Sequence, residues 1–91
     1  MDPDTSLTSK VRQIITSTFA GAEVHDLGID ANGYGRVTGV IVSPGFEGQT
    51  HLWRQDRLWD ALKEGLSPDE LRRVSLLMTV SPSEYEAILA D

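Results

Sequence analysis

Apolar residues recur every three to four positions from Leu7 through Val11, Ile14 and Ile15 to Phe19, the spacing that lines one side of a helix. Thr5 and Ser6 are the hydroxyl candidates for its N-cap, and Gly21 stands where a helix C-terminus favours a residue free to take positive φ. A first strand is expected over 22–30, carried by Val24, Leu27 and Ile29. Asn32-Gly33-Tyr34-Gly35 is turn chemistry, because Asn-Gly accepts the left-handed conformations of a tight hairpin. The run 36–43, holding Val37, Val40, Ile41 and Val42, then reads as the antiparallel partner with much of both faces covered. Pro44 and Gly45 end it, since proline supplies no ladder donor and restricts the residue before it.

Beyond that stop, Thr50 is placed to cap a helix running through Trp53, Leu58, Trp59, Ala61 and Leu62 and ending near Gly65. Ser67-Pro68-Asp69-Glu70 combines a cap, a proline at the first helical position and a carboxylate three residues after the cap, which signals a short helical turn. Val74 to Val80 alternates, with Val74, Leu76, Met78 and Val80 on one face and Ser75, Leu77 and Thr79 on the other, as a third strand would. Ser81-Pro82-Ser83-Glu84 repeats the start signal, and Tyr85, Ile88 and Leu89 supply the apolar face of a closing helix. The predicted order is α-β-β-α-(α)-β-α, an α/β (α+β) chain. Strands two and three, joined through a helix, are expected to be parallel, and strands one and two to form a hairpin. The expected architecture is a mixed three-stranded sheet with helices packed on one face, and residues 1–91 read as one domain without internal repeat or linker.

Composition narrows the chemistry. An apolar share of 40% with 24% charged residues suits a folded globular chain rather than a disordered one. With no cysteine, the chain can form no disulfide and supply no thiolate to zinc, to an iron-sulfur cluster or to a covalent intermediate. No apolar run reaches the length of a signal segment or a membrane span, so a cytoplasmic location and no membrane association are expected. Eight Lys and Arg against fourteen Asp and Glu give a charge of −6, which repels phosphate backbones at long range. A local basic patch remains open if folding gathers Arg54, Arg57, Lys63, Arg72 and Arg73.

The segment Gly45-Phe46-Glu47-Gly48-Gln49-Thr50-His51-Leu52-Trp53-Arg54-Gln55 resembles the BolA-like signature F-x-G-x-[S/T]-x-x-x-R-H. Phe46, Gly48, Thr50 and Arg54 match it, and Gln55 stands where the family has histidine. The likeness extends over nearly the whole chain, through Val40-Ile41-Val42-Ser43, the helix around Arg57-Leu58-Trp59-Asp60-Ala61-Leu62, and Ser81-Pro82-Ser83-Glu84-Tyr85. It implies the BolA fold, similar to the class II KH domain, and two kinds of work: partnership with monothiol glutaredoxins in iron-sulfur trafficking, and regulation of stress and morphology genes through DNA. The first generally draws on a histidine at the start of the third strand and a histidine or cysteine in the hairpin loop. Here those places hold Arg73-Val74-Ser75-Leu76 and Ala31-Asn32-Gly33-Tyr34, so the usual ligands for a shared cluster are missing. No cofactor or bound metal is expected.

Several residues carry two readings at this level. His25 and His51 are the only histidines and belong to no spaced ligand pair; each is a surface group or a lone donor to metal or proton. Gly45-Phe46-Glu47-Gly48 has the form of the KH loop that clamps a nucleic-acid backbone. It also carries an anion and joins a strand to a helix, so the alternative is a tight bend with Phe46 plugging the core. Trp53 and Trp59, six residues apart, lie about 120° from each other on a helix. Trp59 reads as buried, and Trp53 as either a partner-surface aromatic or helix-edge packing. No nucleophile with a base, and no phosphate-binding glycine loop, suggests an enzyme. The reading is a non-enzymatic regulatory or adaptor protein acting through protein partners, a monothiol glutaredoxin among them. The alternative is a nucleic-acid-binding regulator using the helix 50–63, with His51, Trp53, Arg54, Arg57 and Lys63 as the contact surface for either.

Overall fold

The computed structural model describes residues 3–29 and 36–90. Its elements are α1 (Pro3–Thr18), β1 (Glu23–Ile29), β2 (Val37–Val42), a 3-10 turn (Pro44–Phe46), α2 (His51–Gly65), α3 (Pro68–Arg73), β3 (Val74–Val80) and α4 (Pro82–Leu89). The sheet order is β1-β2-β3, with β1 antiparallel and β3 parallel to β2, as the connections predict. The Asn32-Gly33 turn lies outside the described residues. Helix α1 starts earlier than expected, at Pro3, so Thr5 and Ser6 lie inside its first turn instead of capping it. Proline suits that first position, because its missing N–H would have no helical partner there.

The start signals read from the sequence act as expected. Thr50 Oγ1 accepts from Trp53 N at 3.1 Å, and Ser67 and Ser81 each form a reciprocal capping box with Glu70 and Glu84. Leu7, Val11, Ile15 and Phe19 of α1 pack with Val37 and Ile41 of β2, Leu58 and Leu62 of α2, and Leu77 of β3 in one core. Full burial of each such side chain contributes about 1.5–3 kcal/mol.

Two irregularities in the sheet decide which faces are covered. In β1, Asp26 and Leu27 together oppose Gly39, and Asp26 takes φ +55°. Leu27 folds so closely over Gly39 that a Cβ there would stand 3.1 Å from Leu27 Cδ1 and 3.2 Å from its Cα, so a side chain at this position would press on β1. In β3, Ser75 is an extra residue: Val37 pairs with Val74 but Thr38 with Leu76. The bulge resets the alternation, so Val74, Leu77 and Thr79 are buried while Leu76 and Met78 are exposed. The single apolar face expected for Val74, Leu76, Met78 and Val80 is therefore split, because one inserted residue turns everything beyond it to the other side of a period-two strand.

Helices α1 and α2 cover one face of the sheet, as anticipated. Helix α4 leans the other way: Tyr85 stacks on His25 with ring centroids 4.8 Å apart and planes at 19°, and His25 pairs with Val40 on the face turned from α1 and α2. Val42 and Val80, at the end of the sheet where α4 begins, are buried. The apolar face expected of α4 is only partly used, since Ile88 and Leu89 remain exposed. Among the described residues, no helix is long and apolar enough to cross a membrane.

Candidate functional site

The signature segment is first a piece of architecture. Ser43 caps the 3-10 turn, its Oγ accepting from Gly45 N at 3.2 Å, and Gly48 turns the chain toward α2 at φ +75°. Phe46 is completely buried, edge-to-face with Phe19 at 5.0 Å and 62°. Of the two readings of Gly45-Phe46-Glu47-Gly48, the bend with a core plug matches this geometry. Glu47 is turned to α4, where it accepts from Ser83 Oγ at 2.6 Å, and the hydroxyls of Ser81 and then Ser83 hold its carboxyl below the usual range.

Arg54 was expected on a contact surface and lies instead in the interior, 3% exposed. Nη1 donates to the Thr79 carbonyl at 3.0 Å and to Glu84 Oε1 at 2.7 Å, Nη2 donates to Glu84 Oε2 at 3.3 Å, and the guanidinium sits 5.8 Å from the Phe46 ring centre. The cause is positional: Arg54 is on the same side of α2 as Leu58, so the chain that buries Leu58 carries Arg54 inward with it. Arg54 first, and then the Ser81 backbone N–H, lower the Glu84 carboxyl from 4.5 to about 2. Nε of Arg54 is buried without a partner in the protein.

Gln55, in the place of the family's histidine, is the second link from α2 to β3. Its Nε2 donates to the Leu77 carbonyl and to Thr79 Oγ1, both at 3.1 Å, and its Oε1 accepts from Trp59 Nε1 at 3.1 Å. The Val80 carbonyl accepts from Ser43 N inside the sheet, so the carbonyls of Leu77 and Thr79, one residue out of phase, point to the open edge of β3. Gln55 and Arg54 satisfy those two edge acceptors. Trp59, expected to be buried, is half-buried because its indole N–H reaches back to Gln55.

The remaining candidates stay outside. Trp53 is 38% exposed with the Arg57 guanidinium 5.2 Å over its ring, and His51, Leu52 and Lys63 are exposed along α2. Arg54 is committed to Glu84 and Arg72 is paired with Asp69, which takes two cations from the basic patch that the sequence left open. His25 accepts Tyr85 as a stacking partner and lies 3.3 Å from Glu23 Oε2. Among the described residues no three His, Asp or Glu side chains converge as metal ligands. Sequence reasoning missed Thr79 and Glu84 as partners of Arg54; the only signal was Glu84 at the third position of a capping box.

The chain matches a solved BolA protein homologue from Coxiella burnetii with TM-score 0.62 and 28% identity, over 84% of this chain and 91% of that one. The fold of this chain is that of the BolA-like proteins. A Bol-like protein from Babesia bovis shares the fold, with TM-score 0.58 and 24% identity over 90% of this chain and 92% of its own. No protein-family model and no curated protein matches. In this chain the signature's Phe46, Gly48, Thr50 and Arg54 therefore serve, in order, a core plug, a bend, a helix cap and a buried tie between α2, β3 and α4.

Proposed function

We propose that this protein of BolA-like fold is a non-enzymatic adaptor or regulator that works by binding another protein, a monothiol glutaredoxin being one partner its resemblance implies. The carrying observation is the outer face of the sheet, where Leu76 is 60% and Met78 43% exposed and no element among the described residues covers them. Apolar side chains gathered on one sheet face, rather than scattered, favour a protein partner. A shared iron-sulfur cluster does not suit the donors here. The chain has no cysteine, His25 is taken up by Tyr85 and Glu23, and neither Arg73-Val74-Ser75-Leu76 nor Ala31-Asn32-Gly33-Tyr34 holds the histidine or cysteine that the family draws on there.

The nucleic-acid reading draws on the KH-like topology but loses its central cation, because Arg54 neutralises Glu84. Arg57 and Lys63 remain, beside Asp56, Asp60 and Glu64. Titration of the labelled protein with a monothiol glutaredoxin, next to fluorescent duplex DNA at two salt concentrations, tests both. Saturable glutaredoxin binding without a new visible circular-dichroism band after anaerobic iron-sulfur reconstitution is expected, with DNA no tighter than about 10⁻⁴ to 10⁻⁶ M at physiological salt. Submicromolar DNA binding that Arg57→Ala abolishes would reverse the assignment.

A further inference from the structure

Leu52 and Trp59 stand three before and four after Gln55, so they share the side of α2 that meets the edge of β3. Around that edge follow Leu76 and Met78, with Val40 of β2 behind them. Apolar side chains on the sheet face and on α2 thus flank the same edge of β3, which Gln55 ties to the helix, as the two sides of one strip.

Two features select what fits it. A strand adding to an edge needs that edge's free carbonyls, and those of Leu77 and Thr79 already accept from Gln55 and Arg54. The contact must be made by side chains, as a helix laid in a groove makes it. The second feature is charge: Asp56 and Asp60 flank the α2 side, Asp26 flanks the sheet side, and the chain carries −6 overall. Lys63 is the cation on the α2 side, and Arg36 and Arg73 at the strand starts each have a partner within the chain. Two copies at −6 each repel one another, so a second copy is disfavoured.

We propose that this strip receives an amphipathic helix with a basic flank, presented by a partner protein. The proposal rests on the adaptor reading and gives it a place. The test is a titration of the ¹⁵N-labelled protein with a designed leucine-lysine peptide of helical period, its leucine-glutamate counterpart, and a leucine-lysine peptide of alternating period. The helical cationic peptide should shift amides in 37–42 and 74–80, and the exposed-site double variant Leu76→Ser/Met78→Ser should weaken it about tenfold. Equal binding to that variant, or equal binding of either control peptide, overturns the proposal. So does a concentration-dependent dimer that the double variant abolishes. A glutaredoxin that binds while leaving those amides undisturbed removes this site and keeps the adaptor reading; a glutaredoxin that fails while the helical peptide binds removes only that partner.

Discussion

Arg54→Ala separates a structural Arg54 from a recognition residue. In the native fold the Thr79 carbonyl takes its hydrogen bond from Nη1 at 3.0 Å in a buried setting. Removing a donor so that a buried acceptor is left unsatisfied costs about 1–3 kcal/mol. Truncating a side chain that is 3% exposed also opens space beside Phe46, adding the loss of its stem contacts. Glu84 is set apart from this sum, since its carboxylate is 45% exposed and water can replace the guanidinium. The native orphan at Nε disappears with the side chain and returns part of the cost. A net destabilisation of about 2–4 kcal/mol is expected. Arg54→Lys should be intermediate, because an ammonium keeps the charge but loses the fork that reaches Thr79 and Glu84 together.

Urea unfolding followed by tryptophan fluorescence at pH 7 and pH 3 reads both the size and the sign. Arg54 depresses Glu84 to about 2 in the folded chain, so that pair's stabilisation is present above about pH 4.5 and drains away as the pH falls toward 2. In Arg54→Ala this part of the acid dependence should vanish. A change below about 0.5 kcal/mol, within the range of ordinary surface substitutions, would refute the buried tie. An unaltered acid slope would refute the Glu84 linkage.

Phe46→Ala should cost about 3–5 kcal/mol in the same assay, and an unchanged melting temperature would show that the ring is not in the core. Gln55→Ala leaves the Trp59 indole N–H and the Leu77 carbonyl without their partner and should cost about 1–3 kcal/mol; an intact indole N–H shift on proton NMR would count against the bond. Gly48→Ala, at φ +75°, should cost about 1–2 kcal/mol, and a neutral result would place that residue outside the left-handed region. Lys10 Nζ lies 2.8 Å from Glu70 Oε2 and holds that carboxyl at about 2, so Lys10→Gln should flatten the same pH 4.5 to 2 window; a slope equal to wild type would exclude the pair.

Local signals were legible in the amino-acid order because each is settled within a few residues. The caps at Thr50, Ser67 and Ser81, the positive φ of Gly21 and the proline stop after β2 depend on neighbours in the chain, and so does the hairpin and crossover order of the sheet. The signature could be read as a likeness, though not as a set of roles: Phe46 was legible as a plug, whereas Arg54 looked like a surface cation. Its burial depends on Thr79 and Glu84, which lie 25 and 30 residues away and meet it only once α2 crosses β3. The face of β3 was misread for a similar reason, since a bulge arises from pairing with β2 and leaves no mark in alternation. Sequence determined which segments become helix or strand and how they connect, because propensity and capping are short-range. Tertiary structure decided which side chains are inside, because burial is a property of two surfaces meeting.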